Sequence, residues 1–257
     1  MSNKTRTCMF CDGRALTKED AWPLWLVRLF PSPVGVEVEA RRKNAAPTQW
    51  RQRGHFAKVK FVCRACNNGW MSSLESQAKP IIQGLLSNAR SDFETKDREL
   101  AARWILKTAM VFEAVGGKEW FYTPGERADV RAGVIPTGYT AFWAARCVNL
   151  PGAYSAANTM FESAALSTSG VHGHVTTLAI STVAFQVITV RPSPAVPANA
   201  AIRLDGASLE PWPQTALQLW PPTGAFDWPP SIGLVGEFGL EAFANRFRKP
   251  DIPSHLS

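Results

Sequence analysis

Two Cys-x-x-Cys pairs, Cys8–Cys11 and Cys63–Cys66, constrain this chain more than any other feature. A two-residue gap lets both sulfurs of a pair reach one tetrahedral ion, so two pairs predict a single structural Zn2+ site. The 51 residues between the pairs exceed the usual finger spacing, so the intervening segment must fold back on itself. A fifth cysteine, Cys147, stands alone in an apolar stretch and reads as a small core residue. The opening MSNKTRTCMF has no apolar run that would suit a leader. The most apolar later stretch, Val175 to Val190, is broken by Thr, Ser and Gln and reads as strand, not membrane span. The expectation is a cytoplasmic protein with no membrane partner, where thiols stay reduced and metal binding is favoured over disulfides.

Charge is distributed unevenly. Residues 1–66 hold 13 Lys and Arg against 5 Asp and Glu, a net of +8, whereas the rest of the chain holds 15 against 16, a net of −1. The whole positive excess therefore lies in the segment bounded by the cysteine pairs. Such a footprint suits a phosphate-backbone contact surface; a solvated basic loop is the plainer reading.

Taken in order, Cys8 to Gly13 reads as a knuckle closed by an Asp12-Gly13 turn. Thr17 to Trp22 is extended, and Leu24 to Phe30 is a short buried helix ended by Pro31 and Pro33. Val34 to Ala40 alternates as a half-exposed strand. Residues 41–55 are basic and irregular, with Arg41, Arg42, Lys43, Arg51 and Arg53 beside Trp50. They read as an arm that grips a nucleic-acid backbone. Lys58 to Val62 alternates again and feeds Cys63. Asn67 or Asn68 then caps a helix to about Lys79, with Trp70, Leu74 and Ala78 on its buried face, and Pro80 starts a second helix. Residues 91–99 form a charged break and the predicted boundary between units at 1–90 and 98–257.

Arg98 to Val115 is the clearest helix, with Leu100, Trp104, Thr108, Val111 and Val115 on one stripe. Beyond it, Trp120–Thr123, Tyr139–Val148, Thr159–Leu166, Val175–Val190 and Leu217–Trp220 read as strands. Pro124–Ala132 and Leu240–Phe247 read as short helices. His172 and His174 flank Gly173 in what reads as a turn, with no third metal ligand evident. Trp212, Trp220 and Trp228, each before a proline, read as core aromatics rather than base-stacking platforms.

Cys8-x-x-Cys11, then Thr17-Lys18-Glu19-Asp20-Ala21-Trp22-Pro23-Leu24-Trp25-Leu26, then Cys63-x-x-Cys66-Asn67-Asn68-Gly69-Trp70 together resemble the zinc-bound subset of HNH endonucleases, many of them phage or prophage proteins. The resemblance spans residues 8–80, about a third of the chain. It implies an N-terminal zinc-stapled ββα-metal (treble-clef) domain; with the helix and strands read beyond residue 98, the expected fold is α+β, that domain followed by a helix and a β-rich domain. Glu19 falls at the family's acidic metal ligand. Asn67, with Asn68 beside it, falls where the helix supplies another ligand. Asp20 stands where the family has the His that activates water, and Lys58 lies near the middle Asn, so two of the three motif letters differ here.

Phosphodiester hydrolysis needs a divalent ion, here Mg2+ or Mn2+, and a base for water. Asp20 serves as that base if its neighbours raise its pKa, and His55 is a replacement at the start of the second strand or else a surface histidine. Glu75, two turns past Asn67, either adds a carboxylate to the ion or caps a buried Arg. Arg41, Arg42, Lys43, Arg51, Arg53 and Lys58 are the candidate phosphate contacts. The leading expectation is a metal-dependent endonuclease acting on DNA, with RNA left open. Two alternatives stand beside it: a degenerate module that binds nucleic acid without cutting, and a zinc-stabilised protein-interaction module.

Overall fold

The computed structural model describes residues 7–14, 16–30, 36–40, 48–52, 58–89, 91–116, 120–136, 140–150, 154–163, 171–192 and 212–247. In chain order they give strand β1 (Leu16–Asp20), helix α1 (Leu24–Leu29), and strands β2 (Val36–Ala40), β3 (Thr48–Gln52) and β4 (Lys58–Cys63). Helix α2 (Arg64–Cys66) continues through Asn67–Met71, kinked at Gly69 (φ −95°, ψ −111°), into α3 (Ser72–Leu86). Strand β5 (Ser91–Asp92) and helices α4 (Thr95–Gly116) and α5 (Pro124–Arg131) follow. Next come the long strands β6 (Thr140–Val148), β7 (Tyr154–Ser163), β8 (Val171–Ile180) and β9 (Val183–Pro192). Helix α6 (Trp212–Thr215), strands β10 (Ala216–Trp220), β11 (Asp227–Trp228) and β12 (Leu234–Val235), and helix α7 (Gly236–Asn245) complete the order. The class is α+β.

The large sheet runs β10-β6-β9-β8-β7, with β12 lying parallel to the end of β6. Its side chains alternate strictly between two apolar clusters. Phe142, Ala144, Leu178, Ile180, Val183, Phe185 and Val187 join the cluster that contains α4. Ala141, Trp143, Ala145, Cys147, Val175, Ala179, Ala184, Ile188 and Val190 join the one that contains Phe243 of α7. A sheet covered on both faces takes apolar residues on both, with Thr176, Thr177, Gln186 and Thr189 as buried polar exceptions, which is why Val175–Val190 shows no alternation.

That stretch is two strands. The turn at Ser181-Thr182 has neither Gly nor Asn, and Ser181 takes φ 49°, so the usual turn signal is missing. His172 and His174 accordingly lie within β8 and not in a turn. Trp120–Thr123 is an irregular turn, not a strand, and ends in the Thr123 cap of α5. Part of the stretch read as irregular is strand β3, which pairs with β2 in register from Val36↔Gln52 to Ala40↔Thr48. Pro80 sits inside α3 rather than at a helix start. Pro80 cannot donate to the Ser76 carbonyl, and both residues are exposed, so that oxygen is open to solvent.

Helix α4 is the axis of the molecule. The residues from Trp104 to Ala114 are buried without a break, so the helix is covered all round and not along one stripe. Each Leu, Ile or Phe buried there contributes about 1.5–3 kcal/mol. Trp104 meets Phe185 of the sheet at 6.2 Å and Trp25 of α1 at 6.4 Å. Trp22 meets Phe112 at 4.8 Å. The predicted units at 1–90 and 98–257 thus contribute side chains to one apolar cluster, from Cys8 to Trp228. The C-terminus of α3 is fastened to the second of these units. Thr182 Oγ1 donates to the Leu86 carbonyl at 2.6 Å and Trp228 Nε1 to that of Leu85 at 3.0 Å, satisfying oxygens that a helix end leaves open. Among the described residues, no helix is long and apolar enough to cross a membrane.

Candidate metal centre

Strand β4 brings the two cysteine pairs together. β1 pairs antiparallel with it, Leu16 opposite Cys63, which closes the long segment between the pairs. The first knuckle lies against the same strand: the Cys8 N–H donates to the Gly13 carbonyl at 2.8 Å, and the Met9 N–H to that of Phe61 at 2.7 Å. Phe10 packs edge-on against Trp70 at 5.1 Å, pinning the knuckle to the helical side.

The sulfurs of Cys8, Cys11, Cys63 and Cys66 all lie within 4.8 Å of one another, so the group could hold a metal ion such as zinc. Cys11 Sγ is 3.5 Å from Cys63 Sγ and 3.6 Å from Cys66 Sγ. Four thiolates about 2.3 Å from one ion would stand about 3.8 Å apart, whereas a disulfide needs about 2.05 Å. All five cysteines are free. Backbone N–H groups already point at the sulfurs, as a thiolate requires. Phe10 and Cys63 donate to Cys8 Sγ at 3.4 and 3.3 Å, Gly13 to Cys11 Sγ at 3.4 Å, and Cys66 to Cys63 Sγ at 3.5 Å. Burial pushes the Cys8 and Cys66 thiols up. At Cys63 burial also pushes up, but the Cys66 N–H and the neighbouring sulfurs outweigh it and bring the thiol to about 7. Space at Gly13 is tight: a Cβ there would come within 3.0 Å of Cys63 Sγ and 3.2 Å of Cys11 Sγ, so the sulfurs would have to give by a few tenths of an ångström.

Cys63, and not Asn67 or Asn68, caps the helical segment, its Sγ accepting the Cys66 N–H. Asn67 instead ties the helix to the hairpin: its Nδ2 donates to Thr17 Oγ1 at 3.1 Å, and that hydroxyl donates to the Val62 carbonyl at 3.1 Å. Asn68 is exposed.

The candidate carboxylates lie beyond this tie. The register of β1 slips between Thr17 and Glu19, and Glu19 is buried while Asp20 stays near the surface. Asp20 stands opposite Lys58 in the ladder, and their side chains form an ion pair, Nζ to Oδ1 2.7 Å. Glu75 of α3 pairs with Lys107 of α4 and not with an arginine, Nζ 2.6 Å from Oε1. Glu19 has its carboxyl raised to about 7. Burial is the main cause; Lys107 opposes it, Glu75 and Asp20 add to it, and Lys58 opposes it weakly. Three carboxyl groups therefore share one neighbourhood, but two of them are matched to lysines. Among the described residues, the four cysteines are the only grouping of three or more His, Cys, Asp or Glu side chains able to hold an ion. The donor set fits zinc at the sulfurs.

Of the candidate phosphate contacts, Arg51 lies in β3 opposite Glu37, and Lys58 meets Asp20. His55, Arg41, Arg42, Lys43 and Arg53 fall outside the described residues.

Lys107 was not singled out from the sequence, although its signal was there: one cation in the apolar run Trp104–Val111. A second polar cluster was also missed. Glu113 Oε2 accepts from Arg127 Nη2 at 2.6 Å, both side chains buried. His174 stacks on Phe121 at 5.1 Å and meets Tyr122 edge-on at 5.5 Å. Burial, with Arg191 and Arg127 nearby, depresses the His174 pKa to about 4.

No family model matches the chain, and neither a curated protein nor a solved structure does.

Proposed function

We propose that the N-terminal segment is a zinc-stapled ββα module of HNH, treble-clef type that binds nucleic acid without hydrolysing it. Cys8, Cys11, Cys63 and Cys66 would hold the zinc. Knuckle, β1–β4 hairpin and the helix opened by Cys63 follow one another in the order such a module requires. The β2–β3 ribbon is the proposed contact element. A two-stranded ribbon fits the major groove of DNA, and Arg41, Arg42 and Lys43 fall between its strands in sequence.

The observation that carries the non-hydrolytic reading is the Asp20–Lys58 ion pair. Asp20 holds the place of the water-activating base, and its Oδ1 is engaged by the Lys58 ammonium at 2.7 Å instead of facing a water. One observation favours hydrolysis instead: Glu19, with its pKa near 7, is a base matched to neutral pH in the same neighbourhood.

Plasmid DNA incubated with the zinc-loaded protein and Mg2+, Mn2+ or chelator separates the two. Salt-sensitive retention on a gel with the supercoiled form intact is the expected result. Metal-dependent nicking that Glu19→Gln abolishes would establish the hydrolytic reading, and absence of retention at low salt would overturn both.

A further inference from the structure

We propose that Lys107 is the resident cation of the carboxylate site, occupying with its ammonium the position that a divalent ion would take between Glu75 and Glu19. The inference rests on the non-hydrolytic reading above and gives it a cause.

Lys107 belongs to α4, outside the segment that carries the motif, and it is buried to 1% exposure. A lysine is almost never buried to that degree without a negative partner. Here the partner is Glu75, with Nζ 2.6 Å from Oε1, and Lys107 is also the strongest charged neighbour of Glu19. Glu75 sits two turns beyond Asn67, and Glu19 sits two residues beyond Thr17, the residue that Asn67 grips. The same tie that holds hairpin to helix therefore places the two carboxyl groups in one neighbourhood, with the ammonium in contact with Glu75. An Mg2+ or Mn2+ ion would need those oxygens at about 2.0–2.2 Å. An ammonium already within hydrogen-bond distance blocks that approach and repels the dication.

The lysine and Glu19 are buried while Glu75 is 21% exposed, and removal of the lysine alone leaves an acidic pocket open on the Glu75 side. That pocket is the chemistry expected to recruit a hard divalent cation.

The test uses the full chain, zinc-loaded, with Mn2+ as the probe, free Mn2+ followed by electron paramagnetic resonance, and melting temperature read in parallel. Zinc content and the helical circular-dichroism signal establish that each variant is folded. Wild type and Lys107→Arg are expected to take up no Mn2+ and to melt at a temperature that Mn2+ does not change. Lys107→Met is expected to bind one Mn2+ per chain and to melt higher as Mn2+ is added, and Lys107→Met/Glu75→Gln to lose both effects. A folded Lys107→Met that ignores Mn2+ would reduce the contact to a structural ion pair and overturn the proposal. Should Lys107→Met fail to fold, wild type decides: Mn2+ uptake abolished by Glu19→Gln or Glu75→Gln overturns the proposal, and no uptake at millimolar Mn2+ supports it. Uptake without plasmid nicking overturns the role of Lys107 alone, whereas nicking by wild type overturns the non-hydrolytic reading itself.

Discussion

Asp20 and Lys58 are register partners at the far end of the β1–β4 ladder, and their charges meet at 2.7 Å. The pair is half in solvent on the lysine side, with Lys58 44% exposed, so its contribution to stability is small, about 0–1 kcal/mol. Its consequence is chemical: a candidate base and a candidate phosphate contact neutralise each other.

A difference in salt dependence follows. The logarithm of DNA affinity falls against the logarithm of salt with a slope of about −0.9 for each phosphate contact. Replacing Arg41, Arg42 and Lys43 together by Ala is expected to flatten that slope by roughly 2–3. Lys58→Ala is expected to leave it unchanged, because its ammonium serves Asp20. Gel retention across a salt series checks both, and a flatter slope in Lys58→Ala would show that the lysine leaves Asp20 for the phosphates.

Glu19 gives the folded state an unusual pH dependence. Its carboxyl titrates near 7 when folded, against an ordinary value of 4.5. Between those values the folded chain holds a proton that the unfolded chain has released, so stability is highest in acid and falls as pH rises through the interval. The effect is on the order of 3 kcal/mol. Glu19→Gln should remove it. Urea midpoints for both proteins at about pH 5.5 and about pH 8 are expected to converge in acid and diverge in favour of the variant in base.

His174 acts in the opposite sense. Its pKa is depressed from 6.5 to about 4 by burial and by the nearby Arg191 and Arg127. The stability it secures is present above 6.5 and is lost as pH falls toward 4. His174→Phe keeps an aromatic ring against Phe121 but carries no proton. Across that interval wild type should lose about 3 kcal/mol more than the variant, a comparison in which acid loss of metal from the thiolates cancels.

Gly13 tests the metal centre by steric means. An alanine Cβ would press on Cys63 Sγ at 3.0 Å and Cys11 Sγ at 3.2 Å. Two sulfurs held by one ion have little freedom to retreat. Gly13→Ala is expected to weaken zinc affinity by roughly 10–100-fold, measured by competition with a chromophoric chelator.

What the sequence disclosed and what it hid divide along physical lines. The cysteine cluster was legible because spacing and ligand chemistry act locally, and the strand leading into Cys63 because its alternation is local too. The hairpin at Ser181-Thr182 was hidden because both faces of the strands are buried and the turn lacks Gly or Asn. The role of Cys63 as helix cap was hidden behind the better capping residues Asn67 and Asn68. Within the candidate site, Glu19, Asp20 and Glu75 could be picked out one by one. Their partners could not: Lys58 is 38 positions from Asp20, and Lys107 is 32 from Glu75. Pairing of that kind is decided by tertiary packing around α4, for which the sequence carries only the hint of one lysine in an apolar run.

The most direct test of the zinc staple is elemental analysis of the purified chain, combined with X-ray absorption at the zinc edge. One zinc per chain in a shell of four sulfurs at about 2.3 Å is the expected result, with Cys63→Ser reducing the zinc content. A metal-free protein that keeps its fold, or zinc held by nitrogen and oxygen, would contradict it.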